Sequence, residues 1–226
     1  MAGSGFNLNK LIDESKQTLL APKAYFSAMA KTGGLVDPII KAVVYGLVAG
    51  IITLILGLIG IGAAGVSTII MTPIMALIGL FIGGIIILII SAICGGSTDF
   101  EANIRVTASI SVLLPIQSLL IVFNSINFYL GAIVGLAVSL YGLWLLYLAL
   151  TKSLSAKDNI AKIIVGIFAI LSIILTVLSF GATRVASHLS NEATQNAEEM
   201  QKKAEQMMEK FMKENKSSEG SSESSE

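Results

Sequence analysis

Side chains able to do acid–base, ionic or metal chemistry are few in this chain, and they avoid its long apolar runs. Asp99, Glu101 and Arg105 make the one compact ionic constellation. Glu101 precedes Arg105 by four residues, the spacing at which opposite charges meet along one helix face. The trio suits two roles: receiving a partner's loop or a lipid headgroup, or capping a helix and fixing its depth at a membrane edge, the plainer of the two. His188 is the only histidine, so a histidine-dependent triad or an imidazole metal site has no second member to draw on. From Ala42 to Ile93, from Val106 to Thr151 and from Ile163 to Thr183 there is no Asp, Glu, Lys, Arg or His. Ion-coupled transport and intramembrane catalysis use such groups near the midplane. No glycine-rich stretch leads into a lysine followed by serine or threonine, as a phosphate cradle requires. The expectation is a protein that is not an enzyme and has no cofactor or metal.

The remaining polar candidates are hydroxyls. At about 3.6 residues per turn, Thr107, Ser111 and Ser118 share a helix face, with Ser109 and Gln117 off it. Pro115 removes a backbone donor there and is expected to bend the helix. Such a face serves either as a polar groove for a ligand or as a set of hydrogen bonds between helices, its routine use. Three small-xxx-small glycine pairs, Gly46 with Gly50, Gly79 with Gly83 and Gly131 with Gly135, predict close approach of helix backbones. Cys94 is the single cysteine and reads as a small apolar residue at a helix end.

The elements that must position these residues follow from composition. Of 226 residues, 54% are apolar and only 13% charged, with 15 acidic against 15 basic residues. The chain is too apolar for an ordinary soluble domain, and its charge balance offers no basic surface for nucleic acid. A span needs roughly 20 apolar residues. Five such runs are expected, from about Ala42 to Gly65, from about Thr68 to Ile93, and over Val106–Phe123, Phe128–Leu150 and Ile163–Ala182. The elbow from Cys94 to Gln117 joins the second and third. There Gly95 and Gly96 end one helix, and Thr98 with Glu101 has capping-box spacing for the next.

The first forty residues carry no signal-peptide pattern. Asn7–Leu20 is amphipathic, with Leu8, Leu11, Ile12 and Leu19 at helical spacing, suited to lying on the membrane or capping the bundle. Pro22 opens a second short helix, expected to end at Gly33–Gly34. Tyr141, Trp144 and Tyr147 form an aromatic belt. The fold expected is all-α: N-terminal amphipathic helices over 1–38, a five-span membrane domain over 39–183, a soluble amphipathic helix within 184–216 and a disordered tail over 217–226.

The order Gly95-Gly96, Phe100, Arg105-Val106-Thr107-Ala108 and then a proline within the following span resembles the Yip1 domain family of multi-spanning membrane proteins. Leu20-Ala21-Pro22 with Tyr25-Phe26, Pro38-Ile39-Ile40-Lys41-Ala42, and Leu154-Ser155 with Lys157 and Ala161 fall in the same order, so the likeness runs from Leu19 to Ala182. It departs at Ser109, where such proteins commonly carry tyrosine, and at Pro115, which arrives about two residues late. The resemblance implies five spans with the N-terminus inside. In eukaryotes the family acts in vesicle trafficking beside small GTPases. This chain lacks the long N-terminal region of those members, so GTPase binding is not carried over and a prokaryotic-type member is expected.

Five lysines precede the first span, Arg105 marks the elbow, and Lys152, Lys157 and Lys162 flank the loop before the last span, while the other two loops are uncharged. By the positive-inside rule the N-terminus, the elbow and that loop are cytoplasmic and the C-terminus lies outside. A bacterial or archaeal cell membrane is expected, an endomembrane if the source is eukaryotic. The function expected is a non-catalytic scaffold, adaptor or membrane-organising component, meeting lipids, other membrane proteins or itself. The alternative is a passive channel or permease for a small neutral solute or lipid.

Overall fold

The computed structural model describes residues 7–62, 65–181, 200–203 and 207–208. They are helical with no strand among them. Arg184, His188 and the tail lie outside the described residues; of the helix expected over Asn191 to Lys216, only 200–203 and 207–208 are described, and they are helical. The chain divides into two units, Met1–Thr176 and Val177–Glu226, and the bundle belongs to the first.

In chain order the helices are α1 (Leu8–Leu20), α2 (Pro22–Ala28), α3 (Val36–Leu58), α4 (Thr68–Ile93), α5 (Phe100–Ile110), α6 (Leu113–Leu119), α7 (Ile121–Ile126) and α8 (Phe128–Leu148). A π-helical turn, Ala149–Ser153, extends α8, and α9 runs from Asp158 to Gly181. Five segments among the described residues are long and apolar enough to cross a membrane: α3, α4, the α5–α7 run over Phe100–Ile126, α8 with its π turn, and α9. This is a polytopic membrane protein.

The first span starts earlier than its apolar run. Asp37 and Pro38 occupy the first turn of α3, where an acid meets free amides and a proline loses nothing by lacking an N–H. Lys41 is therefore inside the helix, not ahead of it. α2 stops at Ala28 rather than at the glycines, because Met29 is extended at φ −63°, ψ 130°. The third span is broken as Pro115 predicts, one turn upstream. The Ser111 carbonyl, which would have met the missing amide, accepts from the Leu114 N–H at 3.0 Å instead.

The glycine pairs behave unequally. A methyl on Gly46 would lie 2.7 Å from Ala76 Cβ and from Pro73 Cα, and one on Gly50 would lie 3.0 Å from the Thr68 carbonyl oxygen. These two bring α3 and α4 together. In the second pair, a Gly83 methyl would meet Thr107 Cγ2 at 2.9 Å, whereas Gly79 has nothing within 4 Å. In the third, Gly131 packs on Asn124 of the preceding turn and Gly135 faces open space. Gly84, outside all three pairs, accommodates Ile104 of α5.

Replacing Gly46 by isoleucine is expected to cost about 1–3 kcal/mol through overpacking, read as a lower unfolding midpoint in detergent. Gly135→Ala should leave the midpoint unchanged.

Candidate ionic site and loop clasp

The charged end of the bundle is assembled by α4's termination. Gly95, at φ 67°, takes the left-handed turn that ends the helix. Its neighbour Gly96 donates to the Ser91 carbonyl at 2.8 Å. The elbow is then clasped to the loop before α9 by two backbone bonds, from Ser97 N–H to Leu154 O at 2.7 Å and from Lys157 N–H to Cys94 O at 2.9 Å. Only glycine fits at Gly96, since a methyl would lie 2.9 Å from the Leu154 carbonyl oxygen. Cys94 is fully buried beneath the clasp, and burial pushes its thiol above the ordinary value.

The cap of α5 differs from the expected box. Thr98 does not supply it: the last extended residue is Asp99, whose carboxylate accepts from the Ala102 N–H at 2.7 Å. A carboxylate at a helix N-terminus is also favoured by the dipole. Glu101 consequently stands one position too early to reach back to the cap. It accepts instead from Arg105 Nε at 3.0 Å and from the Gly34 N–H at 2.6 Å. Arg105 Nη2 in turn donates to the Gly34 carbonyl at 2.8 Å. Glu101 and Arg105 thus grip both backbone groups of one residue, Gly34, in the loop between α2 and α3. Gly33, at φ 130°, is pressed against the guanidinium, which a methyl there would approach to 2.9 Å.

A second grip comes from α1. Lys41 Nζ lies 2.6 Å from Glu14 and 3.9 Å from Asp37, and Arg105 Nη1 lies 3.9 Å from the same Asp37 oxygen. The side chains of Lys41 and Arg105 are only 11% and 10% exposed. Close by, the Ser15 and Tyr45 hydroxyls pair at 2.7 Å, and Tyr25 and Ser109 at 2.8 Å. On the far side of α1, the Tyr141 hydroxyl donates to the Leu19 carbonyl. Tyr147 likewise donates to Asp158, which Lys162 pairs at 2.6 Å. The aromatic belt therefore fastens the N-terminal helices and α9. Between α1, α2, α3 and α5 these groups enclose a cavity of about 590 Å³, with Asp13, Asp37, Lys41, Arg105, Met29 and Ser109 on its walls.

The hydroxyl face is arranged otherwise than expected. Thr107, Ser111 and Ser118 donate to carbonyls four residues back, at 2.9, 2.9 and 3.2 Å. In a bilayer the nearest free lone pair is that of the same helix, so these bonds form there and not across to a neighbour. Ser109, off the face, is the one of the four that bonds across, to Tyr25. A groove of about 360 Å³ does run beside Ser111, between α4 and α5–α6, but its lining is chiefly apolar.

Arg105 and Glu101 are thus brought together with Lys41, Glu14 and Asp37, while Asp99 is set apart as a cap. Reading the sequence missed Lys41 and Glu14. The available signal was Lys41 four residues after Asp37 at the head of an apolar run, the spacing already noted for Glu101 and Arg105. Lys41→Met is expected to destabilise the protein by about 3 kcal/mol, because the partly buried Glu14 loses its close partner and keeps only the exposed Lys10 at 3.8 Å. Adding Glu14→Gln should restore most of that loss in the same unfolding measurement. Cys94 should resist maleimide in folded protein and react once it is denatured.

A family model described as the Yip1 domain matches residues 16–180. No curated protein and no solved structure is matched by the chain.

Proposed function

The chain belongs to the Yip1 domain family, and from that premise we propose that it works without catalysis, as a scaffold or adaptor that organises other components of its membrane. One observation carries this reading. The buried cations Lys41 and Arg105 are each matched by a carboxylate of the protein, Glu14 and Glu101, and the hydroxyls beside Pro115 are bonded to their own helix. These contacts hold helices in place. What the protein offers outward is surface: α1 exposes Leu8, Ile12 and Leu20, and α9, with none of its most apolar stretch buried, is free to meet another membrane helix.

In this reading the charged end, with the N-terminal helices, the elbow and the loop at Lys157, faces the cytoplasm of a prokaryotic cell, following the lysine and arginine count. A second reading, passive passage of a small neutral solute or lipid, draws on the groove beside Ser111.

Photo-crosslinkers placed at Leu20 and at Ile170 in native membranes should capture a defined membrane partner or a second copy, and protein-bearing liposomes should stay tight to small solutes. A solute-selective leak removed by Ser111→Leu, with no captured partner, would overturn the scaffold in favour of the permease. Because Cys94 is buried, single cysteines placed at Lys16 and Ser125 report sidedness: an impermeant maleimide should label Ser125→Cys from outside the cell and leave Lys16→Cys untouched.

A further inference from the structure

The cavity under α1 holds more hydrogen-bonding capacity than the protein itself uses. Among the described residues Lys41 makes one close contact, to Glu14, which leaves two of its three N–H donors uncommitted there. Arg105 uses Nε and Nη2 on Glu101 and Gly34, while Nη1 makes no hydrogen bond among the described residues. Both side chains are about nine-tenths buried, and both line the cavity. Their common neighbour, Asp37, is 3.9 Å from each, too far for a hydrogen bond. Buried cationic donors are ordinarily satisfied, and a gap of this kind, flanked by two of them, fits an oxyanion.

The carboxylates point to the other half of the ligand. Asp37 is half-exposed, and Asp13 makes no ion pair or hydrogen bond among the described residues; both line the same cavity. A simple anion would meet repulsion from them, and a simple cation would meet repulsion from Lys41 and Arg105. A ligand carrying both signs meets neither. Its place in the fold adds a constraint, since Lys41 and Arg105 each stand in the second turn of a span, α3 and α5, at the membrane–water boundary. The volume of about 590 Å³ accommodates a headgroup of several heavy atoms.

We propose that this cavity binds a phosphate ester bearing a protonated primary amine, with the phosphate on Arg105 and Lys41 and the ammonium on Asp37 and Asp13, as in an ethanolamine phospholipid or free phosphoethanolamine. The donors of a primary ammonium matter, since a carboxylate pairs with it through charge-assisted hydrogen bonds. A choline headgroup has the charge and lacks the donors. A glycerol headgroup has hydroxyl donors and lacks the positive charge.

The test is native mass spectrometry of the full chain in detergent with phosphatidylethanolamine, phosphatidylcholine and phosphatidylglycerol of identical acyl chains at equal concentration. The ethanolamine lipid should be retained about tenfold over the other two. Asp37→Asn, at a half-exposed position that leaves Glu101 and Glu14 in place, should abolish that preference in a protein that still unfolds at the wild-type temperature. Arg105→Gln should lower retention of the phosphate-bearing lipids together. Displacement of the lipid by free phosphoethanolamine assigns recognition to the headgroup alone, and failure to displace it, with the preference kept, assigns it to the intact lipid; both uphold the chemistry. Equal retention of the three lipids by the wild-type protein, or an unchanged preference in Asp37→Asn, would overturn the proposal.

Discussion

Hydrocarbon supplies no hydrogen-bond partner, so each polar group that enters the membrane has to find one within the protein. The arrangement of this molecule follows from that requirement. Thr53, Thr72, Thr107, Ser111 and Ser118 bend back to carbonyls one turn earlier. The carbonyl left without a partner by Pro115 takes an amide from the residue three further along, in a tighter turn. Groups too strong to be satisfied locally, the carboxylates and cations, are gathered at one end of the bundle where water is within reach.

At that end, polarity becomes the means of assembly. Two spans deliver one cation each, Lys41 and Arg105, and segments that do not cross the membrane are fastened to them: α1 through Glu14, the α2–α3 loop through the Gly34 carbonyl. A buried ion pair of this kind is weak as a source of net stability, because desolvation offsets much of the attraction. It is nevertheless selective, since a misplaced α1 would leave Glu14 with only Lys10 and Lys41 with only Asp37, each more than 3.5 Å away. The backbone clasp between the elbow and the loop before α9 does the corresponding job for the last span, and it needs no side chain at all.

Packing within the bilayer follows a different rule. Lipid tails are as apolar as leucine, so helices associate only where backbones come close enough for contact to outweigh what lipid already offers. Gly46, Gly50 and Gly84 provide that closeness between α3, α4 and α5. Gly79 and Gly135 have the same residue type and spacing, and nothing among the described residues approaches them. A glycine pair states that approach is permitted; the partner's position decides whether it happens.

The sequence by itself determined the solvent, the five crossings, the elbow after Gly95 and the Glu101–Arg105 pair, because each depends on residues within a few turns of one another: run length, a helix stop, an i to i+4 spacing. It also carried the family, through motifs spread along the chain. Only the tertiary structure decided that Asp99 caps α5, that Lys41 is buried against Glu14, that Ser109 and not Ser111 bonds across to another helix, and that Gly96 seats the Leu154 carbonyl. Those outcomes depend on residues 27, 84 and 58 positions apart in the chain for Lys41–Glu14, Ser109–Tyr25 and Gly96–Leu154, or, at Asp99, on where the turn before α5 lets the helix begin. No local periodicity encodes such distances, since they are set by how whole helices lean together once the membrane has chosen them.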